Sequence, residues 1–307
     1  MKSPVFEALL REWWERFLFT GNAAYAREAW RRLEREVIPV LGDKPPRKIT
    51  PPMILAILRK IEARGAPVAA RKVRSHISQA MRYGIACGMV TSDPTRDLTY
   101  ALSPYKSRPR PAITDHDSIG RLMADIRGFR PPRRALALKI ATLTFVRPGE
   151  LASVAWADIS FEHALWCVPA QKMKMKRPHK VPLARQTVEA FRALHTITAH
   201  KSPWCFPRRG DPSRHEGAGC LTHSLRCLGY DQATMTGHGF RAMAATTLAE
   251  QGWPSEVIER QLAHVDRNRV RAAYQRSELM DDRRRMMQAW ADWLDLQWVR
   301  AFSCKTK

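Results

Sequence analysis

Apolar positions recur at helical spacing along most of the chain. Residues 4–20 set Phe6, Leu9, Trp13, Phe17 and Leu18 on one stripe. Residues 22–40 repeat the pattern with Tyr25, Trp30, Leu33 and Val37, and the period ends at Pro39. The following LGDKPPRKIT is a loop dense in proline and basic residues. Thr50 then stands where a helix cap is expected, ahead of Pro51 and Pro52, whose missing N–H groups cost little in a first turn. Residues 53–63 carry Ile54, Leu55, Ile57 and Leu58 and stop near Gly65. A longer helix is predicted from Pro67 to Cys87, with Arg71, Lys72, Arg74, His76 and Arg82 on its polar side. These helices make an amino-terminal bundle over 1–102.

The period disappears over 103–112, SPYKSRPRPA, which holds three prolines and three basic residues. This reads as an extended linker and a domain boundary, with a second domain over 113–307. There Thr114 is expected to cap a helix through Ile126, and 133–145 is rich enough in Leu, Ala and Ile to be buried. A short helix holding Glu150 and Leu151 restarts after Pro148. LWCV at 165–168 and VPL at 181–183 read as the strands of a hairpin around KMKMKRPHK. A further helix is predicted over 184–198, then a loop of Pro, Gly and Arg up to about 218. Helices follow over 219–229, 237–251, 255–263, 267–275 and 279–299. The last aligns Met287, Trp290, Leu294 and Trp298, a stripe that suits either the domain's own core or a second copy. The fold class is mainly α with a small β-sheet.

Composition changes the picture in one respect. With 307 residues, 45% hydrophobic and 26% charged, the balance is ordinary for two globular domains. No apolar run approaches the roughly 20 residues that span a bilayer, and the amino terminus lacks a signal-peptide pattern, so cytoplasmic residence is expected. The charge is not ordinary: 52 Lys and Arg against 29 Asp and Glu give a net +23. It is spread evenly, with 21 basic and 10 acidic residues up to 112, and 31 and 19 after it. A polyanion is the expected partner, nucleic acid first. A membrane surface is set aside for want of a basic amphipathic anchor. Arg71, Lys72 and Arg74 on the bundle, with Lys106, Arg108 and Arg110 on the linker, are candidate contacts to a DNA backbone. The six cysteines are scattered without CxxC pairs and read as free thiols. His215, Cys220, His223 and Cys227 lack the two compact pairs of a structural zinc site, so no metal is expected.

The chemistry gathers in 237–274, which holds His238, Arg241, His264 and Tyr274 in that order. His238 and Arg241 lie three apart in a predicted helix and share a face. That face is expected to avoid the apolar set Phe240, Met243, Ala244 and Leu248. Such a pair suits a phosphodiester, with the tyrosine as nucleophile. A solvated basic face with a core tyrosine is the plainer alternative.

FVRPGELASVAW, the KMKMKRPHKVPL turn, HGFR, QLAH and AAYQR occur in one chain and in this order. Together they resemble the tyrosine recombinases, and more narrowly the prophage and genomic-island integrases. The resemblance implies a helical, SAM-like core-binding domain followed by a mixed α/β catalytic domain. It matches Arg147 to the first catalytic arginine and Glu150 to its supporting acid. Lys174 falls best on the hairpin lysine, with Lys172 and Lys176 as competitors. His238 and Arg241 match the HxxR pair, His264 the next histidine and Tyr274 the nucleophile. It implies cleavage and rejoining of DNA through a 3′-phosphotyrosine, without ATP, metal or other cofactor. The partners implied are double-stranded attachment sites, a homotetramer on DNA and accessory bending or directionality factors, with residence on the nucleoid. Integrases of this subgroup commonly carry an extra amino-terminal arm-binding domain; here the bundle starts within the first ten residues, so that domain is expected to be missing. A decayed integrase that only binds DNA, and a type IB topoisomerase, are the competing functions.

Overall fold

Hydrophobic spacing builds the amino-terminal helices, and the departures from it are local. The computed structural model describes residues 5–18, 23–104, 111–173, 176–264 and 278–303. Helix α1 (Phe6–Trp13) buries Phe6, Leu9, Leu10 and Trp13. The chain then enters a π-helical turn, Trp14–Leu18. Its wider winding shifts the phase of the stripe, so Phe17 is 54% exposed and meets Tyr83 edge-on instead of joining the core. The single helix expected over 22–40 is two, α2 (Ala23–Glu36) and α3 (Ile38–Leu41). Pro39 in the first turn of α3 has no N–H for a continued helix. Helices α4 (Pro51–Ala63) and α5 (Pro67–Ala86) complete the bundle. Thr50 takes the cap position of α4 without a side-chain cap bond. His76, read as polar-side, is buried at 2% and meets the Tyr25 hydroxyl at 3.0 Å. Burial, then Arg32 and Lys72, push its pKa down to about 4.

The chain divides into two compact units, Met1–Arg108 and Pro109–Lys307. The second opens with α6 (His116–Gly128), whose cap is Asp115, accepting from Ser118 N–H at 2.8 Å, rather than Thr114. Helix α7 (Pro132–Thr144) carries apolar or small residues on nearly every side and is buried accordingly. After α8 (Pro148–Ala152) comes an antiparallel sheet of β1 (Ile159–Ser160), β2 (Leu165–Val168) and β3 (His179–Pro182), in that order. Its register sets Trp166 opposite Val181 and Val168 opposite His179. Helix α9 (Arg185–Thr198) packs on α7.

A two-stranded ribbon, β4 (Pro207–Arg208) and β5 (Asp211–His215), occupies what reads in sequence as loop. Its exposed DPSRH strand has no apolar alternation to reveal it. Helices α10 (Cys220–Cys227), α11 (Gly239–Glu250) and α12 (Ser255–Gln261) follow, and α13 (Met280–Ser303) is the last element described. The helix expected over 267–275 lies outside the described residues.

Helix α13 settles the two readings of its stripe. Met287, Trp290 and Leu294 are fully buried in their own unit, and Trp298 packs against the same core. The Trp290 indole N–H donates to the Thr142 carbonyl at 3.0 Å. At Gly120 of α6 a Cβ would stand 2.7 Å from the Gln297 carbonyl, so only glycine admits the α13 backbone this closely. Truncating Trp290 to alanine would cost about 3–5 kcal/mol.

Candidate active site

Helix α7 ends in a left-handed residue that is not glycine. Phe145 has φ of 40°, and its side chain is fully buried, edge-on to Trp290 at 6.3 Å. Such a conformation costs about 1–2 kcal/mol, which the burial of the ring offsets. The turn delivers Arg147 to the start of α8. There Glu150, 4% exposed, accepts the Arg147 backbone N–H at 3.0 Å and its guanidinium at 2.8 Å. One carboxylate thus caps the helix and orients the arginine.

Arg241 corrects the sequence expectation. It does not stay clear of the apolar face of α11 but is buried at 9% with Phe240 and Met243. Five N–H donors below the surface must find acceptors. Nη1 reaches the Phe145 carbonyl at 3.0 Å, and Nη2 reaches the Leu262 carbonyl at 2.7 Å and His264 Nε2 at 3.0 Å. Burial, and then the charge of Arg147, pull Arg241 down to about 10, against the opposing pull of Glu150 and Glu259. It stays charged at neutral pH. His238 lies just before α11, at its cap, and is half-buried. Next to it, Gly239 passes so close that a Cβ would stand 2.8 Å from the Pro111 carbonyl.

His264 follows the end of α12 and is exposed. A guanidinium only donates, so His264 Nε2 accepts from Arg241 and the ring proton is assigned to Nδ1, which donates to Glu259 at 2.6 Å. The last carbonyls of a helix have no partner inside it and carry partial negative charge. At the end of α12 three consecutive carbonyls are taken by three different elements. His179 of β3 reaches Gln261 O at 3.1 Å, Arg241 of α11 reaches Leu262 O, and Arg147 Nη2 reaches Ala263 O at 3.2 Å. Two like-charged guanidinium groups are held side by side on this ladder.

Sequence reasoning missed four members of the arrangement: His179, Glu259, Gln261 and Arg283. His179 is 9% exposed, and its pKa is pushed down to about 3 by burial and then by Arg283, so it serves as a neutral donor. Arg283, 2% exposed, aims Nε and Nη2 at Gln261 Oε1, at 3.0 and 2.7 Å, and donates to the Lys180 carbonyl. Burial pulls it down to about 10. A signal for it existed, since Arg283 lies four residues before Met287 and therefore on the apolar stripe. His179 likewise stands two residues before buried Val181 on one face of its strand.

Other candidates fare differently. Lys174 and Tyr274 lie outside the described residues, as do Lys106, Arg108 and Arg110 of the linker. Lys172 is engaged, 2.5 Å from Asp158 Oδ2 and 5.0 Å from the centre of the Trp204 ring, whereas Lys176 is exposed. In the amino-terminal unit Arg71 donates to Ser103 O at 2.6 Å and Arg74 to Thr95 O at 3.1 Å, while Lys72 is exposed. Cys227 Sγ lies 3.7 Å from His223 Nε2, and among the described residues no three His, Cys, Asp or Glu side chains gather as metal ligands.

Two guanidinium forks are thus held beside an imidazole in the unit that follows the helical bundle. The chain belongs to the phage integrase family. The model of the phage integrase central domain matches residues 6–101, and that of the phage integrase family matches residues 113–279. The integrase of Enterobacteria phage P4 is 36% identical over 313 residues, covering 95% of this chain and 69% of that protein. Prophage integrase IntS of Escherichia coli (strain K12) is 32% identical, covering 94% of this chain and 75% of that protein. In fold, the chain resembles a lambda integrase tetramer solved on a Holliday junction, with a TM-score of 0.69 at 20% identity over 90% of this chain and 78% of that one.

Proposed function

We propose that the chain is a tyrosine-type site-specific DNA recombinase that integrates and excises a mobile element. The observation that carries this reading is the pairing of Arg147 and Arg241 on adjacent carbonyls beside His264. A phosphodiester entering there meets two preorganised forks. Negative charge developing on its nonbridging oxygens is stabilised by groups that need no reorganisation. His264 Nε2 accepts from the Arg241 guanidinium and helps aim it at the phosphate.

In the proposed reaction the Tyr274 hydroxyl oxygen attacks phosphorus, and the bond to the 5′-oxygen breaks. The tyrosine proton passes to His238, and the leaving 5′-oxygen takes a proton from Lys174. With Lys172 held by Asp158, Lys174 is the better hairpin donor and Lys176 its remaining rival. The 5′-hydroxyl of a second strand then attacks the phosphotyrosine and releases Tyr274, so the number of phosphodiester bonds is unchanged. A homotetramer on paired attachment sites, helped by accessory bending or directionality factors and working on the nucleoid, is the assembly proposed for this exchange. Arg71, Lys72 and Arg74, with Lys106, Arg108 and Arg110, are proposed to steady the duplex through its phosphates.

The test uses nicked duplexes that span the two boundaries of the genomic segment encoding the chain. Wild-type protein is expected to form a covalent protein–DNA adduct that is lost in Tyr274→Phe. Binding without any adduct at low salt overturns the enzymatic reading. Relaxation of supercoils without a sequence requirement would assign a topoisomerase instead.

A further inference from the structure

Arg283 is a buried cation whose described hydrogen-bond partners are neutral oxygens, the Glu278 carboxylate acting on it only through space. Its fork closes on one atom, Gln261 Oε1, and reaches on to the Lys180 carbonyl of β3 and the Glu278 carbonyl at 3.4 Å. Sinking a guanidinium to 2% exposure costs free energy that a methionine of similar length would not. A core that needed only apolar filling at this point on the α13 stripe had a less costly solution. What the arginine secures is Gln261, the residue that begins the carbonyl ladder under Arg147 and Arg241.

We infer that Arg283 is a positioning residue for the phosphate-binding arginines, acting through Gln261 to hold the end of α12 at the depth where its carbonyls aim Arg241 and Arg147. The inference rests on the recombinase reading. The same contact to Lys180 holds β3, so His179 meets the Gln261 carbonyl from the other side. Gln261 is thus fixed by its side chain to α13 and by its carbonyl to the sheet. Loss of the fork frees the end of α12 to shift. A displacement of about 1 Å in a group that orients a reacting centre can cost up to 100-fold in rate.

The experiment compares first-turnover adduct formation on the nicked boundary duplexes by wild type, Arg283→Met, Arg283→Lys, Gln261→Leu and Gln261→Glu. Rates are taken per folded molecule. Arg283→Met and Gln261→Leu are expected to slow the step about 30-fold, with DNA affinity within about twofold of wild type. Arg283→Lys keeps stem and charge but not the planar fork, and is expected to slow it about tenfold even if the methionine variant does not fold. Gln261→Glu restores an acceptor for Arg283 and is expected to recover most of the loss seen in Gln261→Leu.

The decisive substrate carries a methylphosphonate at the cleaved position, which removes one nonbridging oxygen and its charge. If Arg283 acts by aiming the arginines, the gap between variant and wild type narrows to about threefold on it. Wild-type rates in folded Arg283→Lys, or a gap of equal size on both substrates, would reduce Arg283 to a stabilising contact. Should wild type form no Tyr274-dependent adduct on either duplex, the recombinase reading falls and takes this inference with it.

Discussion

In the amino-terminal unit Arg71 and Arg74 reach the carbonyls of Ser103 and Thr95 from a partly open helix face, and Lys72 beside them is exposed. In the carboxy-terminal unit Arg147, Arg241 and Arg283 close on carbonyls and side chains from several elements, with Arg241 and Arg283 buried. The charge budgets of the two parts are nearly equal, so the contrast lies in mounting rather than number. Exposed cations hold a polyanion through many small, salt-screened contacts that tolerate loss. Sunken ones are costly to desolvate and are worth it only where a fixed direction matters.

The largest test of that contrast is Arg241→Ala. It removes one fork and leaves the Phe145 and Leu262 carbonyls without a donor, so adduct formation should fall about 1,000-fold or more and stability by about 1–3 kcal/mol. Single-turnover cleavage and urea unfolding measure the two. A loss under tenfold would erase the distinction between the units.

Acid comes next, because each unit holds one buried neutral histidine. His76 and His179 have folded pKa values of about 4 and about 3, below the ordinary 6.5. As pH falls the unfolded chain takes up its protons first. Stability is therefore complete above about 6.5 and drains as pH falls toward each folded value. Between about pH 7.5 and 4.5 each histidine should remove roughly 3 kcal/mol, and glutamine at either position should flatten that part of the profile. His179→Gln should do so only in the transition of the carboxy-terminal unit. A shared response would mean that the two units unfold together.

The smallest effect is expected at Lys72. Lys72→Ala should weaken DNA binding a few-fold, lower the slope of log affinity against log salt by about one, and leave the cleavage rate of bound DNA unchanged. A rate defect there would blur the division between holding and reacting.

Much of this was legible in the sequence, for reasons that differ by element. The bundle, the hairpin strands and the apolar α13 stripe follow from period alone. Arg147, His238, Arg241 and His264 stood out because their types and order are uncommon together. The direction of Arg241 was not legible, since three-residue spacing gives a shared face and not the depth of that face. The π-helical turn that turns Phe17 outward leaves no mark on period until the phase has slipped. The ladder at Gln261, Leu262 and Ala263 works through carbonyls, which every residue type supplies. Arg283 could be read only by asking why a charge sits on an apolar stripe.

Helix α13 also governs when the carboxy-terminal unit comes into being. Its Met287, Trp290 and Leu294 fill the middle of that unit, and Gly120 lets its backbone settle onto α6. Every other described element of the unit precedes it in the chain. On the ribosome the amino-terminal bundle can therefore close early, while its neighbour waits with an open core until residues near 298 have emerged. A site-specific DNA recombinase thus lacks a closed carboxy-terminal unit until that last helix has been made.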